Sequence, residues 1–346
     1  MLAFSDKVFF FESAIFSDCF FLRSHLKGLR VFHLQFCFGS SALFQATVSY
    51  DLLKEIYGHK RYKMCLGGLV QYENETLQRL QLVELEVLLA IDEVCREYGI
   101  TYFLSSGTAL GAKRHGGFIP WDDDIDIGMP RADYDRFLEV APKALGENYT
   151  VANPESDDRL AGLFAKVWKN GTKFFTEETL DAGIEQGIFV DVFPYDCLSF
   201  KESMRNKQLR TCMLWQRISY LYYSGAINVP HRGALGALEK MACRIVHVFV
   251  RAVANPKVIR NKFFTMAKRC NGVGASGDMA CMSYTQFVFP RDVLLPPRPL
   301  SFSGHLLPVP AKIEEYLTIQ YGETWNELPP ENQRRNHAPK VLELGG

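Results

Sequence analysis

Trp121-Asp122-Asp123-Asp124-Ile125-Asp126-Ile127-Gly128-Met129 is the stretch on which the reading of this chain turns. Residues two apart in a strand share a face, so Asp124 and Asp126 project together while Ile125 and Ile127 point into a core. Two anions on one face repel unless something positive stands between them. Hard divalent cations such as Mg2+ prefer carboxylate oxygens and keep waters for a substrate phosphate, so the pattern points to a metal-dependent phosphoryl site. A calcium loop of the D-x-[DN]-x-[DN]-G-x5-E type is the competing reading. Asp122, Asp124 and Asp126 fit its first three positions, but its glycine would fall on Ile127 and its final glutamate on Asp133. The strand reading is preferred.

Upstream, Leu77, Leu80, Val83, Val87, Leu88, Ile91, Val94, Cys95 and Tyr98 recur at helical spacing, with Asn74 as N-cap and Gly99 as stop. Ile100 to Leu104 is a short β-prone run, Ser105 to Thr108 a turn, and Ala109 to Arg114 the start of a helix. Gly107-Thr108 therefore lies where backbone N–H groups and a hydroxyl can hold a phosphate, and Lys113, Arg114 and His115 follow to balance its charge. Downstream of Pro130, Tyr134, Phe137, Leu138 and Ala141 form one helical stripe. Phe164 to Trp168 and Gly187 to Phe193 read as further strands, and the second places Asp191 in the middle of an otherwise apolar run. An isolated buried carboxylate is costly; a cation shared with Asp124 and Asp126 would explain it. Exposure on an edge strand or pairing with a lysine explains Asp191 equally well. Residues 201 to 270 carry helical periods, Pro296-Pro297-Arg298-Pro299 is a turn or surface strap, and Pro310 to Tyr321 is a helix closed by Gly322. The literal Gly272-x-Gly274-x-x-Gly277 follows a helical segment rather than a strand and is dismissed as a loop.

The 346 residues exceed the ~150 of an average domain, and 39 Lys+Arg against 39 Asp+Glu give no net charge. That sum joins unlike parts, +3 over residues 1–63 and −3 over the rest. Residues 1–44 hold 11 of the 26 Phe without a period of 2.0 or 3.6, and the most apolar stretch, Val8 to Leu22, is broken by Glu12 and Asp18. It is neither a spanning helix nor a signal peptide. The expectation is a Phe-rich extension over 1–63 outside the native domain, with translation starting at Met64. Nine scattered cysteines without a CxxC read as buried thiols of a reducing cytoplasm, and the histidines show no zinc spacing. No basic patch with interleaved aromatics stands out, which excludes nucleic acid as a partner.

The run from Ser106 through Lys113, Arg114, His115 and Trp121 to Arg131 resembles the signature of the LicD family of phosphotransferases, which includes the fukutin-related proteins. The resemblance continues through Phe164-Ala165-Lys166, Gly187 to Pro194, Tyr321-Gly322 and Pro329-Pro330 to His337, about residues 70 to 340. It implies an α+β fold: a nucleotidyltransferase-like mixed sheet flanked by helices, with a helical insertion and C-terminal elaboration, carried by residues 64–346 as one catalytic domain. Gly107-Thr108 would be the turn before the Asp-h-Asp strand, with Thr108 where Ser is usual and a longer gap to Asp124.

The implied activity moves phosphocholine or a polyol phosphate from a CDP-activated alcohol to a hydroxyl of a cell-surface glycan, lipopolysaccharide or lipid-linked saccharide. Asp124, Asp126 and Asp191 would be catalytic and hold Mg2+ or Mn2+, Asp191 completing the metal site or taking the acceptor's proton. Lys113, Arg114, His115 and Lys166 would stabilise phosphate charge, Asp122 and Asp123 would orient the site or a choline ammonium, and Trp121 would stack on a base or quaternary amine unless it only packs. Two alternatives remain: nucleotidyl transfer from an NTP to a small molecule or sugar phosphate, and a noncatalytic calcium-binding or scaffold protein. The expected location is the cytoplasm. Met241 to Val253, with Arg244 and Arg251, offers peripheral contact at the inner membrane face, although packing on the core is favoured for it.

Overall fold

A computed structural model describes residues 20–22, 31–37, 43–49, 72, 74–225, 233–272, 275–284, 286–331, 334, 336–337 and 339–345. The chain divides into two compact units, Met1–Gly68 with Asn228–Glu239, and Leu69–Ile227 with Lys240–Gly346. In the first, β1 (Phe20–Leu22), β2 (Val31–Cys37) and β3 (Leu43–Ser49) form an antiparallel meander, with Phe36 opposite Phe20 and Val31 opposite Ser49. Aromatic and β-branched residues give these runs their strand propensity without any alternation to announce it. The expected start at Met64 lies outside the described residues.

The second unit opens with α1 (Asn74–Tyr98), which ends where Gly99 adopts φ +62°. There follow β4 (Phe103–Leu104), α2 (Ser106–His115), β5 (Ile125–Pro130) and α3 (Arg131–Ala144). Next come β6 (Tyr149–Ala152), β7 (Ala165–Lys169), β8 (Lys173–Phe175), α4 (Glu177–Ala182) and the long β9 (Phe189–Ser199). Helices α5 (Glu202–Tyr223), α6 (Gly233–Val253) and α7 (Pro256–Ala267) separate β9 from β10 (Ala275–Cys281). The chain continues through β11 (Val288–Pro290), α8 (Arg291–Leu294), β12 (Arg298–Phe302), β13 (His305–Val309), α9 (Ile313–Tyr321) and β14 (Val341–Glu343).

The main sheet has the order β11-β10-β9-β5-β4, with β7 also on β9 and β6 on β7. Only β5 and β9 are parallel; the other pairs run antiparallel, so the sheet is mixed and the fold is α+β as expected. Ile125, Ile127, Val190 and Val192 are fully buried in the main core with Leu88, Ile91 and Phe137 of the helices. Burial of each such side chain contributes about 1.5–3 kcal/mol. Gly128 is fixed by packing: a Cβ there would lie 2.6 Å from ring atoms of both Phe103 and Tyr195.

The Pro-rich strap read at 296–299 is instead the lead into a β12/β13 hairpin in which Pro299 pairs with Pro308. This two-stranded ladder tolerates residues without an N–H because each strand has one open edge. The expected helical insertion is α5 to α7.

Candidate functional site

Parallel pairing sets Asp126 of β5 beside Asp191 of β9, and on the other edge of β9 the antiparallel β7 sets Lys166 beside the same Asp191. One row across three strands therefore reads Asp126, Asp191, Lys166. Lys166 Nζ donates to Asp191 Oδ1 at 2.5 Å and lies 3.7 Å from the centre of the Phe189 ring. Asp191 is thus not on an edge strand, whereas its pairing with a lysine holds. Asp124, one residue ahead of β5 and two before Asp126, has 19% of its side chain exposed. Because the segment enters a strand at Ile125, the calcium-loop geometry is excluded.

The carboxylates crowd one another. Burial, then the charges of Asp124, Asp191 and Asp122, push Asp126 well above the usual carboxylate range. Asp122 is raised by burial and by Asp124 and Asp123. Burial also raises Asp191 against the pull of Lys166. Such mutual repulsion is relieved by a cation, and oxygen donors in this number suit a hard divalent ion.

Asp123 has a different task. Fully buried, it accepts hydrogen bonds from Tyr72 Oη at 2.7 Å and from the His337 backbone N–H at 2.8 Å, with His337 Nδ1 at 3.1 Å. Burial opposes its ionisation, but these bonds hold Asp123 below the ordinary value. The His337 side chain is half exposed, and the charges of Asp124 and Asp123, with the Asp123 hydrogen bond, push it up to about 10. His337 Nδ1 also lies 3.8 Å from Asp124 Oδ2, and Asp123, Asp124 and His337 bring ligand atoms within 4.8 Å of one another, close enough to hold a metal ion. Since both oxygens of Asp123 are already accepting, its first role is to anchor the segment at His337 against the site.

Helix α2 begins at Ser106, so the expected turn at Gly107-Thr108 is already its first helical turn. Ser106 has φ +46°, a conformation held by its N–H donating to Tyr316 Oη at 2.9 Å. A Cβ on Gly107 would lie 3.0 Å from Asp122 Oδ2, which places that carboxylate beside the turn. Thr108 Oγ1 accepts the Asp126 backbone N–H at 2.8 Å and fastens α2 to β5. Lys113, Arg114 and His115 sit at the other end of α2, about 10 Å along the axis. Lys113 pairs with Glu314 at 2.5 Å, and Arg114 donates to the carbonyls of Trp325 and Glu327, both at 3.0 Å. His115 meets the edge of Trp121, whose face carries the Arg334 guanidinium at 4.5 Å. The structure thus gathers Gly107, Thr108, Asp122, Asp123, Asp124, Asp126, Lys166 and Asp191, and engages Lys113, Arg114 and Trp121 elsewhere.

Sequence reasoning missed Tyr72, Glu84 and His337. Glu84 carried a signal, because it falls on the apolar stripe Leu77, Leu80, Leu88, Ile91 of α1 and is itself 1% exposed. His337 carried none beyond the extent of the family resemblance.

A family model described as the LicD/FKTN/FKRP nucleotidyltransferase domain matches residues 99–219, which contain the row and Asp124. The lipopolysaccharide cholinephosphotransferase LicD of Haemophilus influenzae is 29% identical over 266 residues, 76% of this chain and 96% of that protein. An uncharacterised protein of Rickettsia prowazekii is 42% identical over 60 residues, 17% of this chain and 23% of its own. The ribitol 5-phosphate transferase FKRP of Homo sapiens is 55% identical over 31 residues, 9% of this chain and 6% of that protein. The domain match falls on the segment that builds the carboxylate row and the long alignment spans most of both proteins, so residues 99–219 are similar to the LicD-type nucleotidyltransferase domain and the chain as a whole is similar to a LicD phosphotransferase.

Proposed function

We propose that the enzyme moves phosphocholine or a polyol phosphate from a CDP-activated alcohol to a hydroxyl of a cell-surface glycan, lipopolysaccharide or lipid-linked saccharide, using Mg2+ or Mn2+. The observation that carries this is the row Asp126, Asp191, Lys166, with Asp124 two residues ahead of Asp126. The Haemophilus influenzae relative, a lipopolysaccharide cholinephosphotransferase, and the FKRP relative, a ribitol 5-phosphate transferase, support the substrate class. Phosphoryl transfer needs alignment and charge neutralisation more than covalent help from the protein. Asp124 and Asp126 hold the divalent cation, which when bound neutralises diphosphate charge. Asp191, raised by burial, either completes the metal site or takes the acceptor hydroxyl's proton. Lys166 and His337 border the carboxylates and take part of the phosphate charge. Residues 64–346 carry the activity, with 1–63 an appendage to it.

No helix among the described residues is long and apolar enough to cross a membrane. Peripheral contact is supported by α6, where Met241 is 47% exposed and Val253 67%, beside the exposed Lys240, Arg244 and Arg251. Three exposed bases on one side of α6 suit an anionic bilayer surface. Flotation with phosphatidylglycerol vesicles should retain the protein and lose a Lys240→Glu, Arg244→Glu, Arg251→Glu variant; equal flotation of both removes the contact from the proposal.

The deciding assay offers purified protein Mg2+, a lipopolysaccharide acceptor and, separately, CDP-choline, CDP-ribitol, CDP-glycerol and NTPs. CMP release from one CDP-alcohol is the expected result. Pyrophosphate release from an NTP alone would replace this reading with nucleotidyl transfer.

A further inference from the structure

The rung beside the carboxylate row is aromatic. Residues two apart on a strand share a face, so Phe193 follows Asp191 on the same side of β9, about 6–7 Å along the strand. On the neighbouring strand Phe164 stands two positions before Lys166 and packs on the Phe193 ring, with centroids 4.4 Å apart. Lys166 Nζ lies 5.4 Å from the centre of that Phe164 ring, which ties the aromatic rung to the charged one. Tyr284 completes the ladder. Its ring stacks on Phe193 with centroids 5.3 Å and planes 27° apart, yet Tyr284 is 48% exposed.

Sheet register brings Tyr284 there. Strand β10 runs antiparallel to β9 with Cys281 opposite Tyr195, so the chain leaving β10 heads back along β9 toward Phe193 and Asp191. Gln216 of α5 fastens the turn, its Nε2 donating to the carbonyls of Ser283 at 2.5 Å and Tyr284 at 3.2 Å. Covering Phe193 uses one face of the Tyr284 ring. The other is a flat, open surface one rung from the carboxylates.

A donor whose diphosphate lies at the carboxylates must place its base one ribose away, and an aromatic ring receives a base by stacking. Trp121 is engaged elsewhere, with Arg334 on its face and His115 at its edge. A quaternary ammonium is recognised by an aromatic cage, whereas this ladder presents one flat face, because Phe164 and Phe193 are buried. We propose that Tyr284 is a binding residue for the nucleotide donor, its open face stacking on the base. This rests on the CDP-donor reading given under Proposed function and adds to it a residue outside 99–219, the span of the domain match. Every base has a π-face, so Tyr284 supplies affinity and placement and leaves the choice among bases to other contacts.

Calorimetric titration of the full chain in Mg2+ with CDP, UDP, inorganic pyrophosphate and phosphocholine separates base, phosphate and choline. Tyr284→Ala should weaken CDP and UDP alike, by about tenfold, and leave pyrophosphate unchanged. Tyr284→Phe keeps the ring and should bind CDP as wild type does. Tyr284→Leu, which covers Phe193 without a π-face, should lose CDP affinity as the alanine variant does, so the test survives an alanine variant that fails to fold. Equal losses of CDP and pyrophosphate overturn the assignment by making Tyr284 a support for the carboxylates. A loss confined to phosphocholine also overturns it, placing the ring on the transferred group. Wild type that binds CDP with all three variants unaffected sinks Tyr284 alone; wild type that binds pyrophosphate but neither nucleotide sinks the donor reading with it.

Discussion

Strand β9 carries two buried aspartates that the protein treats in opposite ways. Asp196, fully buried, accepts two bonds from Arg131 at 2.8 Å each and a third from Asn271. Five residues earlier Asp191 has one lysine, and its other neighbour across the sheet is a second acid, Asp126. Burial would lower the Arg131 pKa, but Asp196 outweighs it and raises it. At Asp126 burial and the like charges of Asp124, Asp191 and Asp122 act together and outweigh the pull of His337. A saturated ion pair holds strands and helices in place; an unsaturated cluster of like charges is costly, a cost that the cation of the proposed function would offset.

That contrast can be broken from either end. Asp124→Asn with Asp126→Asn should lower CMP release by about a thousandfold, about 4 kcal/mol of barrier, while the metal-free melting temperature stays at or above wild type. Retained turnover would refute the metal assignment. Arg131→Met should do the reverse: it leaves Asp196 buried without its main partner and should cost about 3 kcal/mol in urea unfolding, with turnover per folded molecule nearly unchanged.

The pH dependence follows from the raised carboxyls. The folded state binds protons at Asp122 and Asp126 that the unfolded chain has lost, so stability present in the ordinary carboxylate range declines as pH rises above it. His337, raised to about 10, adds stability that is full below its ordinary value near 6.5 and is lost as pH climbs through 10. Metal-free protein should therefore be more stable relative to Asp126→Asn at pH 5 than at pH 8; parallel pH profiles would contradict it. Thr108→Val removes the acceptor of the Asp126 N–H and should cost about 1 kcal/mol by thermal melting. Arg334→Ala uncovers the Trp121 ring and should cost about 0.5 kcal/mol, with a shift in Trp fluorescence as its readout.

The alternation from Asp124 to Gly128 made the strand and its acidic face legible, because period-two patterning is local. The amphipathic stripe of α1 was equally plain. What no local pattern contains is the parallel pairing of two strands more than 60 positions apart, which is what turns Asp191 from an isolated oddity into the neighbour of Asp126. Glu84 was readable as a charge on an apolar stripe and was passed over, since periodicity counts the apolar positions and ignores the one that breaks them. Lys113, Arg114 and His115 are adjacent in sequence to the turn, but α2 carries them to its far end, where Lys113 pairs with Glu314 and Arg114 with two carbonyls. The hairpin from Arg298 to Val309 was hidden by its prolines.

The clasp on Asp123 has a consequence for assembly. One of its partners, Tyr72, lies 51 positions upstream and the other, His337, 214 positions downstream. Long-range closures of this kind form late when a chain folds, after the local helices and hairpins. Ion capture should accordingly be among the last events of refolding, lagging behind helix formation in a stopped-flow experiment, and half-folded chains should carry the acid stretch without the clasp that shapes it. The two contacts on Asp123 thus join the two far ends of the second unit's sequence at one buried carboxylate.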